Sequence, residues 1–102
     1  CPKGAIWDVV VDCRRGSPTY GQWDAVELSA ENGLSVFISE GLGHAFLSLE
    51  DGSVANYLCT SEYEPISDRT INPFSAKLAI GFETLGITEF ILSDKDSDAA
   101  DF

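Results

Sequence analysis

The histidine and cysteine content limits the metal chemistry that this chain could perform. It carries one histidine, His44, and three cysteines, Cys1, Cys13 and Cys59. A zinc site needs three or four protein ligands, and one histidine without a Cys-x-x-Cys pair cannot supply them. We therefore expect no metal site and no cofactor. An odd number of cysteines also argues against a disulfide framework, so Cys13 and Cys59 are expected to pack as small hydrophobic residues in a reduced, cytoplasmic setting.

Proton transfer is the other chemistry that these residue types could serve. A phenol such as Tyr57, with a pKa near ~10, ionises little at neutral pH but can give a proton to a strongly basic carbon. By residue type alone, Tyr57 is equally an amphipathic strand residue. His44 is equally a hydrogen-bonded histidine at a strand start, and Asp96 is one more acid in a solvated tail.

The charge balance excludes a nucleic-acid surface. The net charge is -11, from 17 acidic and 6 basic residues, whereas a phosphate backbone requires a basic patch. A small anionic ligand needs only local cations. The candidates are Lys3, Arg14, Arg15, Arg69, Lys77 and Lys95. No apolar run approaches the ~20 residues of a membrane span, so no membrane partner is expected.

The elements that must position these residues are predicted to be short strands. Residues rich in β-branched and aromatic side chains, or alternating in polarity, predict seven strands: Ala5–Asp12, Trp23–Ser29, 34–38, 44–49, 54–59, 78–82 and 87–92. Strands at intervals of about ten residues, with no crossover helices between them, indicate an antiparallel all-β sandwich or barrel.

The turns support an antiparallel arrangement. Asn32-Gly33 and Asp51-Gly52 are strong hairpin signals, and they predict that 34–38 pairs with Trp23–Ser29 and that 54–59 pairs with 44–49. Residues 60–76 are polar with two prolines and predict a long surface connection. Residues 93–98 are acidic and predict a loop or a disordered end. The 102 residues suffice for one domain with one core.

Four motifs resemble those of one known family. Residues 4–23 contain Asp-Val-Val-Val-Asp and Gly-Ser-Pro-Thr, 38–46 contain Gly-Leu-Gly-His-Ala-Phe, 57–65 contain Tyr-x-x-Thr-x-x-Tyr-x-Pro, and 92–96 read Leu-Ser-Asp-Lys-Asp. Their order and spacing are similar to those of the dTDP-4-dehydrorhamnose 3,5-epimerases, and the resemblance covers nearly the whole chain. It implies one domain, 1–102, with an all-β, antiparallel jelly roll of the cupin type, without metal.

The family resemblance implies an isomerase of deoxysugar biosynthesis. Its members epimerise a dTDP-4-keto-6-deoxyhexose at C3, C5 or both, and they are homodimers in the cytoplasm. The resemblance implies that Tyr57 is the proton donor and that Asp96 pairs with the histidine base. It implies substrate binding by His44, Tyr63, Asp68 and Lys95, with Tyr63 packed on the thymine and Lys95 near the diphosphate. Arg14 and Arg15 are expected to be surface charges.

Some family features are absent from these residues. Family members are roughly twice as long, and the Arg-Gly-x-His segment that carries the base is not found here. We therefore expect this chain to correspond to the C-terminal part of a longer domain, with the N-terminal strands missing. The alternative is a non-catalytic, epimerase-like domain that binds a sugar nucleotide or serves assembly. A purely structural β domain is a third possibility.

Overall fold

Three β-strands form one antiparallel sheet in the first part of the chain. The computed structural model describes residues 1–102 and divides them into two units, Cys1–Leu58 and Cys59–Phe102. The strands, all in the first unit, are β1 (Ala5–Asp12), β2 (Trp23–Ser29) and β3 (Leu42–Ser48). The second unit contains a 3-10 helix, Phe82–Leu85, and a short helix α1, Asp94–Ser97.

Strand β1 is central because it pairs on both edges. The strand order is β2-β1-β3, and Val9 lies opposite Ala25 on β2 and Ala45 on β3. The Val9 side chain, which projects from one face of the sheet, is completely buried. Full burial of such a side chain contributes about 1.5–3 kcal/mol.

Alternation along β1 gives the sheet two different faces. Successive side chains of a strand point to opposite faces, so Asp8 and Val10 share one face and Trp7 lies on the other. Val10 is opposite His44, which places His44 on the Asp8 face. On the other face, Trp7 and Trp23 pack edge to face, with ring centroids 6.0 Å apart and an interplanar angle of 74°.

The loop between β1 and β2 is closed by one buried carboxylate. Asp12 accepts two hydrogen bonds of 2.9 Å from the Arg14 guanidinium, one of 2.6 Å from Ser17 Oγ and one of 2.5 Å from Thr19 Oγ1. Arg14 first, and then the two hydroxyls, hold the pKa of Asp12 well below its usual range. The same contact raises the pKa of Arg14.

The second unit has its own small apolar core. Leu78, Ile80 and Phe82 are buried, and Phe74 packs edge-on against Phe82 and Phe90, with centroids 5.6 and 5.1 Å away. An isolated bridge joins Ile71 to Ala100.

No helix of the chain has both the length and the apolar character needed to traverse a bilayer.

The strand predictions are correct only for the first sheet. Strands Ala5–Asp12 and Trp23–Ser29 are confirmed, and the prediction of 44–49 is found as Leu42–Ser48. Strands at 34–38, 78–82 and 87–92 are wrong, and 54–59 forms only an isolated bridge between Lys3 and Val54. Periodicity describes which residues could line a face, but a strand also requires a neighbouring strand to accept its hydrogen bonds.

Neither predicted hairpin is formed. Asn32 closes a local turn in which its Oδ1 accepts hydrogen bonds from the backbone of Ser29 and Leu34. Strand β3 pairs with β1 and not with residues after Asp51-Gly52. The confirmed architecture is an antiparallel sheet with few helical residues.

The prediction for the connecting segment is confirmed, whereas the prediction for the acidic tail is wrong in part. Residues 60–76 form turns and irregular structure, as predicted. The acidic tail, predicted as a loop, contains α1, because Ser93 Oγ accepts from the Asp96 backbone and caps the first turn. Cys59, predicted to pack among apolar residues, is exposed.

Candidate active site

His44 lies against a buried carboxylate on one face of the sheet. Its Nε2 is 2.7 Å from Asp8 Oδ2. The pairing follows from the register: His44 is opposite Val10 and Phe46 is opposite Asp8, so Asp8 and His44 are diagonal neighbours on adjacent strands. The Phe46 ring lies beside the imidazole with centroids 6.0 Å apart.

The Asp8 carboxylate is almost completely removed from water. Its side chain is 5% exposed, against 34% for His44. The second oxygen, Oδ1, is buried without a hydrogen-bond partner. Buried carboxylates are normally paired or fully hydrogen-bonded, so His44 is the one group that compensates this carboxylate. A carboxylate in this position fixes the orientation of the ring and the tautomer that it adopts.

Tyr57 lies in the same unit, after the turn at Asp51-Gly52. Its side chain is 73% exposed, and its hydroxyl makes no hydrogen bond to a protein group. A phenol with its hydroxyl uncommitted is free to donate to a ligand.

Three of the predicted binding residues meet in the second unit. Asp68 Oδ2 accepts hydrogen bonds from Lys95 Nζ and from Tyr63 Oη, the latter at 3.3 Å. Lys95 holds the pKa of Asp68 below its usual value, and Asp68 raises the pKa of Lys95. This cluster brings together the aromatic ring of Tyr63, the carboxylate of Asp68 and the ammonium group of Lys95, which are far apart in the sequence. It is a polar surface that could contact a base and a charged group of one ligand.

Asp96 is placed differently from its neighbour Lys95. Its Oδ2 accepts from Ser93 Oγ at 2.8 Å, and its backbone N–H donates back to Ser93 Oγ. The side chain is only partly exposed. Asp96 thus forms a capping arrangement at the start of α1, with one carboxylate oxygen uncommitted.

Sequence reasoning missed two carboxylates. Asp8 stood in the motif without a role, although an aspartate within a β-branched run is a signal of a buried polar group. Asp12 was also given no role, and it is buried and bound by Arg14, whose own side chain is exposed as expected of a surface charge. The position of Arg14 two residues after Asp12, at the start of a turn-rich loop, was the available signal. No group of three or more His, Cys, Asp or Glu side chains is arranged to hold a metal ion.

A family model matches the full length of the chain. Residues 1–102 match the model described as dTDP-4-dehydrorhamnose 3,5-epimerase. The enzyme of that name from Mycolicibacterium smegmatis is 50% identical over 99 residues, which are 97% of this chain and 47% of the relative. A dTDP-4-dehydro-6-deoxyglucose 3-epimerase from Streptomyces bikiniensis is 44% identical over 97% of this chain and 50% of its own length.

Solved structures agree with the sequence comparison. The rmlC epimerase of Mycobacterium tuberculosis is 42% identical, with a TM-score of 0.94 over 99% of this chain and 50% of that chain. A 3'-monoepimerase from Streptomyces bikiniensis, solved in complex with dTDP-quinovose, is 44% identical with a TM-score of 0.92 over the same shares. The chain spans about half the length of the curated relatives that it matches.

Proposed function

The chain belongs to the dTDP-4-dehydrorhamnose 3,5-epimerase family, and from this we propose that it contributes to an enzyme that epimerises a dTDP-4-keto-6-deoxyhexose at C3, C5 or both. The observation that carries the proposal is the family match across residues 1–102. Relatives named as 3,5-epimerases and as 3-epimerases are of comparable identity. The proposal therefore leaves the carbon unspecified.

The reaction requires three functions around one sugar ring. A base removes the acidic proton next to the ketone, hydrogen-bond donors stabilise the enolate, and an acid returns a proton to the opposite face. We assign the donor to His44 and the acid to Tyr57, whose exposed hydroxyl supports this role. Asp96, with one carboxylate oxygen uncommitted, is assigned to orient the base histidine of the longer enzyme.

The cluster of Tyr63, Asp68 and Lys95 is assigned to the nucleotide. The ring of Tyr63 offers an apolar face to a thymine, and Lys95 offers positive charge to a diphosphate. The Lys95 amine is already bound to Asp68, so ligand phosphate must share or replace that carboxylate. Nucleotide affinity is therefore expected to fall with rising salt.

We propose that the sheet is one part of a cupin-type jelly roll. Further strands of a longer chain would complete it as a single domain. High TM-scores over half of each solved epimerase support this completion. A homodimer, a cytoplasmic location and a metal-free mechanism complete the proposal, and each stays a prediction.

Deuterium exchange tests the proposed activity. The isolated chain should incorporate deuterium from D₂O into the dTDP-4-keto sugar very slowly or not at all, because its one imidazole is already bound to Asp8. Adding the N-terminal half of a relative that supplies a base should restore exchange by the ~10²–10⁴-fold typical of a positioned base. Rapid exchange by the isolated chain would mean that it contains a base other than those assigned here.

Tyr57→Phe in the complemented protein tests the assigned acid. Loss of the hydroxyl should slow reprotonation of the sugar while dTDP binding is retained, since the ring remains. Tyr20→Phe removes a hydroxyl outside the proposed site and is the matched control. Equal rates for Tyr57→Phe and the unaltered protein would remove Tyr57 from the mechanism.

The second candidate function is a non-catalytic sugar-nucleotide binding domain. It is favoured by the engagement of the only histidine with Asp8, which leaves no free imidazole base within residues 1–102. Titration with dTDP separates the possibilities. Binding without exchange, even after complementation, supports this candidate, whereas no binding supports a purely structural domain.

A further inference from the structure

Cys13 and Arg14, the two residues that follow β1, lie against the segment that leads into β3. A Cβ placed on Gly41 would lie 2.6 Å from Arg14 Cγ, and one placed on Gly43 would lie 2.9 Å from Cys13 Sγ. Real Cβ atoms essentially never approach another heavy atom this closely. The two side chains therefore occupy spaces that are open only because positions 41 and 43 are glycines.

Both contacts lie directly before His44 in the chain. Gly43 is the residue that precedes it, and it lies opposite Val11 near the end of the ladder between β1 and β3. The Cys13 backbone N–H donates to the Gly41 carbonyl at 3.3 Å. The entry of β3 is thus held by one backbone hydrogen bond and two side-chain contacts, all within three residues of His44.

At the end of β1, the chain is held more firmly on the β2 side than on the β3 side. On the β2 side, the Asp12 N–H donates to the Gln22 carbonyl at 2.9 Å, and the Asp12 carbonyl accepts from the Gly21 N–H at 2.8 Å. On the β3 side, the hydrogen bond from Cys13 is longer, at 3.3 Å. Strand β3 pairs with β1 only. The side chains packed on the entry of β3 therefore have more influence on its position.

Arg14 is in turn held in one orientation. Its Nε and Nη2 each donate to the Asp12 carboxylate at 2.9 Å, and its backbone N–H donates to Asp12 Oδ1 at 3.0 Å. A bidentate pair fixes the plane of the guanidinium, and it also fixes the aliphatic stem that covers Gly41. The side chain is 53% exposed, but the stem cannot leave the glycine without breaking this pair.

We propose that Cys13 and Arg14 are positioning residues that fix the start of β3 and thereby the place of His44 on the sheet face. They act through Gly43 and Gly41, and not by contact with a ligand. A displacement of about 1 Å can cost a reaction about 10²-fold in rate. The importance of this placement for catalysis rests on the proposed function. The placement itself does not, because it is a property of the ligand-free chain.

The NMR signals of His44 report its position. The chain has one histidine, so its two ring C–H groups give the only imidazole signals in a carbon-13 correlated spectrum. The Phe46 ring, whose centroid is 6.0 Å from that of the imidazole, shifts these signals by an amount that depends on the geometry of the two rings. A change in the start of β3 therefore changes the chemical shifts of the His44 ring.

Variants at positions 14 and 15 test the role of Arg14. Arg14→Ala should shift both ring signals, because it removes the stem that covers Gly41. Arg14→Lys keeps an aliphatic stem and a single charged contact to Asp12, so it should shift them less. Arg15→Ala removes the neighbouring exposed arginine and should leave them unchanged. Unchanged signals in Arg14→Ala overturn the role of Arg14. If Arg14→Ala does not fold, Arg14→Lys against Arg15→Lys decides the same question.

A pair of compensating variants tests the contact of Cys13. Gly43→Ala adds a Cβ that must displace either Cys13 Sγ or the strand, so it should shift the His44 signals. Cys13→Ala removes the sulfur, and the next nearest atoms to the added Cβ are then 3.8 Å away, an ordinary contact distance. The double variant should therefore return the signals towards those of Cys13→Ala alone. Lack of this recovery overturns the role of Cys13.

Deuterium exchange in the complemented protein tests the consequence for catalysis. Arg14→Ala should lower kcat for exchange into the dTDP-4-keto sugar by up to ~10²-fold. Binding of dTDP should be retained, because Tyr63, Asp68 and Lys95 belong to the other unit. Arg15→Ala should change neither quantity.

The two proposals fail in different ways. Shifted His44 signals with an unchanged kcat would show that the placement has no catalytic importance. Absence of exchange in the unaltered complemented protein would contradict the proposed function, and the NMR comparison would still decide whether Cys13 and Arg14 position His44.

Discussion

Asp8 and His44 satisfy each other's hydrogen-bonding groups on the sheet face. Deletion of one partner leaves the other as an uncompensated polar group, which is more costly than loss of both. The carboxylate is the more sensitive partner, because it is nearly inaccessible to water and one of its oxygens already lacks a hydrogen bond.

His44→Ala should therefore lower the free energy of unfolding by about 1–3 kcal/mol, the cost of a buried polar group left unpaired. The double variant Asp8→Val with His44→Ala should recover part of that loss, because valine buries no charge and matches the β-branched run of β1. Urea unfolding of both variants gives the comparison. A double variant that is less stable than His44→Ala alone would show that the pair is not the cause.

Asp12 predicts an acid-sensitive stability. Hydrogen bonds from Arg14, Ser17 and Thr19 hold the folded-state pKa of Asp12 below its ordinary value of 3.8, which it has in the unfolded chain. A lowered pKa means that the contribution is complete above the unfolded value and is lost as pH falls through the folded value. The wild type should lose stability between about pH 5 and about pH 3 more steeply than Asp12→Asn. The urea midpoint measured against pH checks this, and Asp24→Asn, which keeps the cluster, should follow the wild-type slope.

At the scale of elements, the start of β1 is held by a close approach between two backbones. Gly4 has φ +74°, and a Cβ placed there would lie 2.3 Å from Ser53 Oγ and 2.9 Å from Ser53 Cα. Ser53 cannot move easily, because its Oγ accepts from the Ala5 backbone N–H and lies within hydrogen-bonding distance of the Ala5 and Glu50 carbonyls. This contact links the turn at 50–53 to the first strand.

Gly4→Ala and Gly16→Ala form a matched pair that isolates this contact. Gly16 has φ +87° and nothing within 4 Å of its added Cβ, so Gly16→Ala should cost only the left-handed strain of about 1–2 kcal/mol. Gly4→Ala should cost clearly more, since it adds the clash with Ser53 to the same strain. Thermal unfolding of the two variants measures the difference. Equal losses would mean that Ser53 yields without cost.

What the sequence predicts about these elements depends on where the hydrogen-bonding partners lie. Strands β1 and β2 were predictable because their β-branched and alternating residues pair with each other inside the chain. Residues 34–38 have the same alternation, yet Phe37 is 89% exposed and the segment is not a strand, because no strand within residues 1–102 pairs with it. The Asp8–His44 contact was not predictable, since it depends on the register between β1 and β3. Tyr63, Asp68 and Lys95 lie together in the second unit, and their role in binding a ligand stays a prediction.

At the scale of the whole molecule, exposed apolar side chains and a large net charge have opposite effects on association between chains. Phe37, Leu58 and Ile91 are 89%, 100% and 103% exposed, which favours association. The net charge of -11 favours separation of the chains. The balance should therefore depend on ionic strength, because salt screens the repulsion and leaves apolar contacts intact.

Sedimentation velocity tests this balance. Association should increase with protein concentration and increase again when salt is added, and Phe37→Ser should reduce it. Binding of the complementary half of a relative should also reduce it, if that half covers the same side chains. A monomer at every concentration and salt level would mean that these side chains do not drive contact between chains.

The Trp7–Trp23 contact has a consequence for how folding of this chain can be observed. Both tryptophans of the chain lie in Cys1–Leu58, so tryptophan emission monitors that unit and does not report directly on Cys59–Phe102. A dye on the exposed thiol of Cys59, after replacement of Cys1 and Cys13 by serine, would monitor the second unit. Coincident melting curves from the two optical probes would mean one cooperative transition. Separated curves would mean that a tryptophan melting temperature describes only the sheet.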